Sequence, residues 1–183
     1  MAETLILVLV IATALAFDFT NGFHDTANAM AASVASGALR PRVAVGLSAT
    51  LNVVGAFLSL SVAATIAKGI VEASSITMSV VLAGLIGAVL WNLLTWLLGI
   101  PSSSSHALIG GVVGATLIAA GTDAVLVGGL LKKVLIPALL APAVAITVAT
   151  LVAALVIRST ARYSDASRDR VLKGGQVCSA SLV

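Results

Sequence analysis

The sequence predicts an all-α, polytopic membrane protein whose helices are interrupted by polar segments. Three observations predict it: the composition, the lengths of the apolar runs, and where the charges lie. Of 183 residues 60 % are apolar and the mean hydropathy is +1.16, whereas a soluble domain is nearer one half apolar with about a quarter charged. A spanning helix needs about 20 apolar residues, so the chain has room for roughly four to six spanning or partly spanning segments and no extramembrane domain. Ten bases and seven acids give a net charge of +3. The bases gather at the ends of apolar runs: Arg40 and Arg42 flank Pro41, and Arg158, Arg162, Arg168, Arg170 and Lys173 follow the last run. That is the distribution of topology-setting charge and argues against nucleic-acid binding. The single cysteine, Cys178, allows no internal disulfide.

Residues 5–17 are an apolar run too short to span alone at 1.5 Å per residue. No basic segment precedes it, so a retained first helix is expected rather than a signal peptide. Residues 5–39 would measure about 50 Å as one helix, more than the membrane core. A break near Asn21 and Gly22 is therefore expected. After the turn at Pro41, residues 43–67 read as a span, followed by the polar connection 68–75. Residues 76–100 hold the next span, and PSSSSHA at 101–107 separates it from a glycine-rich apolar stretch, 108–120. The serines form either a loop at the membrane face or the tip of a re-entrant hairpin, because irregular backbone at membrane depth must be buried in protein or line water. Residues 124–134 read as a short helix interrupted by Lys132 and Lys133, and 135–157 as the last span despite Pro137 and Pro142. Residues 1–158 thus form the transmembrane unit and 159–183 a cytoplasmic tail. With the amino terminus outside and the carboxy terminus cytoplasmic, seven bases lie inside and three outside, as the positive-inside rule requires.

Polar groups inside such segments are costly and point to function. In DFTNGFHDTAN, 18–28, helical spacing places Asn21, Asp25 and Asn28 on one face, with His24 one turn from Asn28. A carboxylate between two carboxamides suits a Na⁺ cage or an oriented proton acceptor. Asp18 or Asn21 also suits a helix cap, although capping leaves Asp25 and Asn28 unexplained. Ser102, Ser103, Ser104 and Ser105 at a helix start offer hydroxyls beside free backbone N–H groups, a setting that binds oxyanions; an ordinary serine loop is the alternative. Ser105 and His106 are adjacent and no G-x-S-x-G elbow occurs, so the chain is not expected to be a hydrolase or any other enzyme. Asn52 and Asn92, single carboxamides within spans, suit helix-to-helix hydrogen bonding as well as a ligand role; they and His106 are secondary site candidates. The glycines at 84, 87, 110, 111 and 114 read as close-packing surfaces. Two interrupted apolar segments, each with clustered polar residues at its break, match the discontinuous helices of secondary transporters. The residues by themselves indicate a carrier of a small anion.

NGFHDTANAMA at 21–31, with its Gly-Ala-Leu-Arg-Pro turn, and GIPSSSSHALIGGVVGA at 99–115 resemble the two signatures in the amino-terminal half of the inorganic phosphate transporter family. That family includes low-affinity bacterial phosphate permeases and sodium-phosphate symporters, and the resemblance extends over nearly the whole chain. It implies one of two inverted repeats, with phosphate and coupling cations held where the repeats meet. It further implies that Ser102–Ser105 and Asn28 contact phosphate and that Asp25, with Asn21 and His24, handles the coupling ion. That ion is H⁺ or Na⁺, because His24 stands where animal members have Asn, and the cargo is phosphate or a neutral metal phosphate complex. No cofactor is implied. GGQVCSASLV at 174–183 resembles the segment that leads into the second repeat. The expected partners are the bilayer of the inner (plasma) membrane and a second repeat or homologous subunit. A half that binds a full-length homologue without transporting is the alternative function.

Overall fold

A computed structural model describes residues 1–58 and 69–182. Helix α1, Ala2–Ala35, is 34 residues long and continuous. The expected break at Asn21 and Gly22 does not occur. One glycine in a helix costs about 1 kcal/mol, whereas a break would leave several backbone N–H and C=O groups unpaired among apolar neighbours, at a larger cost. Helix α2, Pro41–Leu58, begins with proline, whose missing N–H would lack a helical partner there anyway. It returns antiparallel to α1, with Thr26 hydrogen-bonded to Ser48 and Met30 packed with Ala44. The remainder of the expected span 43–67 and the start of the 68–75 connection lie outside the described residues.

Helices α3, Met78–Leu97, and α4, Ser104–Ala120, form an antiparallel hairpin. Glycine sets their separation: a Cβ on Gly111 would lie 2.3 Å from the Gly84 carbonyl oxygen, and one on Gly84 2.9 Å from Val112. The close-packing reading therefore holds at these two positions, while Gly110 and Gly114 face open space. The hairpin rests on α1 through α3. Ala12 and Ala16 face Ile86, Val89 and Leu90 across a shallow groove, Thr20 meets Asn92, and Phe23 lies edge-on to Trp96 with centroids 5.4 Å apart. The spacing 12, 16, 20, 23 is one helical stripe, small at first and aromatic at its end. Since both numbers rise together, α3 runs parallel to α1.

The open end of the hairpin is tied by an antiparallel bridge between Val71 and Val125. Helix α5, Val127–Thr160, then runs as one element, so the expected division into 124–134 and 135–157 is replaced by a π-helical turn over Leu131–Leu135. Pro137 has no N–H for the preceding turn and its ring crowds the carbonyl four residues back; a wider turn accommodates both without ending the helix. Residues 135–155 of α5 are exposed at every position. Helix α6, Asp165–Ser181, passes through Gly174 and Gly175 and docks on the corner between α1 and α2. There Ser33 and Ser36 hydrogen-bond to Gln176, and Ala180 joins the Met30 and Ala44 cluster. Three of these helices, α1, α3 and α5, are long and apolar enough to cross a membrane, which makes the chain a multi-pass membrane protein.

Candidate functional site

The turn between α3 and α4 is built by local chemistry. Gly99, at φ +64°, ends α3: its N–H donates to the Trp96 carbonyl at 3.1 Å, and the Ile100 N–H donates to that of Thr95 at 2.9 Å. This double closure needs a left-handed residue, and the proline that follows prevents continuation. Ser103 then caps α4, accepting from the His106 backbone N–H at 3.3 Å. Sequence order therefore puts the serines at the hairpin tip, and packing on α1 decides what each one meets.

The four serines have separate surroundings. Ser102 is 3.0 Å from the Thr95 hydroxyl, tying the turn back to α3. Ser103 pairs with His106 Nδ1 at 2.8 Å. Ser104, buried, donates to Asp25 Oδ2 of α1 at 3.2 Å. Ser105 is exposed. A hydroxyl cluster converging on one point is thus not the geometry found; one serine, Ser104, meets α1 directly.

On α1, Asp25 is half exposed and His24 buried, with His24 Nδ1 3.6 Å from Asp25 Oδ1, beyond hydrogen-bond reach. Asn28 is exposed, and among the described residues no hydrogen bond joins it to His24, so the expected pairing across one turn is not formed. Asn21 is half-buried and its Oδ1 lacks a partner, as does Oδ1 of the fully buried Asn92. Asn92 Nδ2 donates to the Thr20 hydroxyl at 3.5 Å, the outer limit for such a bond. Asn52 lies elsewhere: it donates to the Ser48 carbonyl at 2.9 Å, within α2 and beside the Thr26 contact. Its bonds stay within α2 and it is exposed, so the expected helix-to-helix bond is not formed there, and the structure does not bring it to the serine turn.

Sequence reasoning missed Thr20 and Thr95. Both are buried hydroxyls that link the two motifs or brace them, and threonine in an apolar run is too common to stand out. The amide oxygens of Asn21 and Asn92 and Nδ1 of His24 are buried without a partner, and the Asp25 carboxylate beside His24 accepts from Ser104. Beside them, at the hairpin tip, are hydroxyl donors. Among the described residues no group of three or more His, Cys, Asp or Glu side chains is placed to hold a metal ion.

The chain is similar to proteins named "Probable low-affinity inorganic phosphate transporter" from several bacteria. It is 58 % identical over 181 residues to that of Mycobacterium bovis and 42 % identical over 178 residues to that of Rhizobium meliloti. The matches cover 99 % of this chain and 43 % of the M. bovis protein, and 97 % and 53 % for R. meliloti, so the chain spans about half the length of these relatives. The Bacillus subtilis relative is 52 % identical over 127 residues, which cover 68 % of this chain and 38 % of that one. No solved structure matches it. The phosphate transporter family matches residues 21–178, a stretch that holds both the Asp25 segment and the serine turn, and the chain belongs to that family.

Proposed function

We propose that this chain supplies one half of a cation- or proton-coupled inorganic phosphate transporter, the site being completed by a second repeat. The observation that carries the reading is the hydrogen bond from Ser104 to Asp25, which joins two motifs 79 positions apart in sequence. Asp25 lies ten residues before the end of α1, about 15 Å along the helix axis. In this reading the serine turn is the tip of a re-entrant hairpin, because irregular backbone carrying polar groups must be buried in protein or line water.

The geometry suggests how coupling works. The Ser104 hydroxyl has one proton to donate. While Asp25 is ionised, that proton serves the carboxylate, and a phosphate nearby is repelled by about 4 kcal/mol at 4 Å in a partly screened setting. When a proton or Na⁺ neutralises Asp25, Ser104 turns to the anion, with the exposed Asn28 amide as a further donor. Asn21 and His24 present oxygen and nitrogen acceptors to the coupling ion. Asp25 is then the coupling residue and the serine turn the anion cradle. Arg40 and Arg42 lie at the corner on which α6 docks, and this shared basic end faces the cytoplasm, with the amino terminus outside the plasma membrane.

The test uses this chain reconstituted in vesicles with the carboxy-terminal half of the M. bovis relative. Phosphate accumulation driven by a cation or proton gradient is expected with both halves. Asp25→Asn should abolish accumulation while phosphate exchange persists. Undiminished accumulation by Asp25→Asn would remove the coupling role. Accumulation by this chain alone would remove the requirement for a second repeat.

A further inference from the structure

We infer that α6 and the α1–α2 corner on which it docks form a binding surface for anionic lipid headgroups. One face of α6 is held against the bundle by Gln176 and Ala180. The positions 171, 175, 178 and 182 share another face by helical spacing. They carry Val171, Gly175, Cys178 and Leu182, with Leu172 beside them, and all are exposed. An exposed apolar stripe on an otherwise charged helix at the end of a transmembrane bundle has the form of a helix lying in the headgroup region.

Charge identifies the lipid. Within α6 the two acids are spent locally, Asp165 on Arg168 at 2.5 Å and Asp169 on Lys173 at 2.9 Å. Arg162 and Arg170 are exposed and, among the described residues, form no ion pair. The docked corner adds exposed Arg40 and Arg42, and the last turn of α5 adds exposed Arg158. The end of the bundle that α6 covers therefore carries an uncompensated positive charge beside an apolar stripe. A zwitterionic surface satisfies only the stripe, whereas an anionic surface satisfies both.

Cys178, the one cysteine of the chain, lies on the stripe and reports its surroundings without any substitution. A fluorophore on Cys178 of the full chain, in phosphatidylcholine vesicles containing about one-third phosphatidylglycerol, is quenched by lipids brominated in the acyl chains. The ratio of quenching by brominated phosphatidylglycerol to that by brominated phosphatidylcholine measures headgroup preference at this position. We expect a ratio well above one that collapses in high salt. Arg162→Gln and Arg170→Gln should each lower it by about 5-fold, the factor that corresponds to about 1 kcal/mol per base near an anionic surface. If either variant does not fold, the salt titration of the parent decides. Quenching without headgroup preference would overturn the inference, and so would no quenching by either lipid, which would mean that water or protein covers the stripe.

Discussion

Replacing Gly111 by alanine tests whether the α3–α4 hairpin, and with it the serine turn, depends on backbone contact. The added methyl would lie 2.3 Å from the Gly84 carbonyl oxygen, against an ordinary C···O approach of about 3.3–3.6 Å. The helices must part by about 1 Å, and no side-chain rotation relieves the contact because the obstructing atom is backbone. Overpacking of this kind costs about 1–3 kcal/mol, and the upper end applies here. Alanine's better helix propensity returns about 0.5–1 kcal/mol, leaving a net loss of about 2 kcal/mol. The neighbours supply the control: Gly110 and Gly114 meet nothing within 4 Å, so Gly110→Ala and Gly114→Ala should gain the propensity term alone. Unfolding free energies in bicelles should then separate Gly111→Ala from Gly110→Ala by about 3 kcal/mol. Equal stabilities for the two would refute backbone contact as the spacing device.

Asn92→Leu replaces a fully buried side chain whose Oδ1 has no partner. Its thermal stability should stay within about 1 kcal/mol of the parent or rise, and a larger loss would mean that the amide is better satisfied than its long bond to Thr20 implies. Gly129→Ala would put a Cβ 1.6 Å from the Gly69 carbonyl oxygen, so the bridge between Val71 and Val125 should open, read as faster hydrogen exchange at the Glu72 and Leu126 amides that pair across it. Ser104→Ala should weaken phosphate binding in the reconstituted two-half assembly by about 5- to 150-fold, since a donor in a shielded site is lost. Ser104 and Ser105 having equal effects when replaced by alanine would argue against the separate roles of these two hydroxyls.

Membrane class, the Pro41 corner and the interruption at the serines were legible in the sequence because each depends on local chemistry: apolar run length, a proline at a helix start, and a proline and polar run between two apolar stretches. The candidate motifs were legible too, because charged and amide side chains within apolar runs are rare for energetic reasons. Helix continuity at Asn21 and Gly22 was not legible. Whether a weak helix former breaks a helix depends on the cost of unpaired backbone in its surroundings, and packing against α3 sets those surroundings. The same holds for Leu131–Leu135, where the pair of lysines that reads as a division between two helices is carried through by one widened turn. Tertiary structure alone chose Ser104 from four consecutive serines to meet Asp25. Residues adjacent in sequence point about 100° apart around a helix, so which hydroxyl faces α1 is decided by how the α3–α4 hairpin packs on α1.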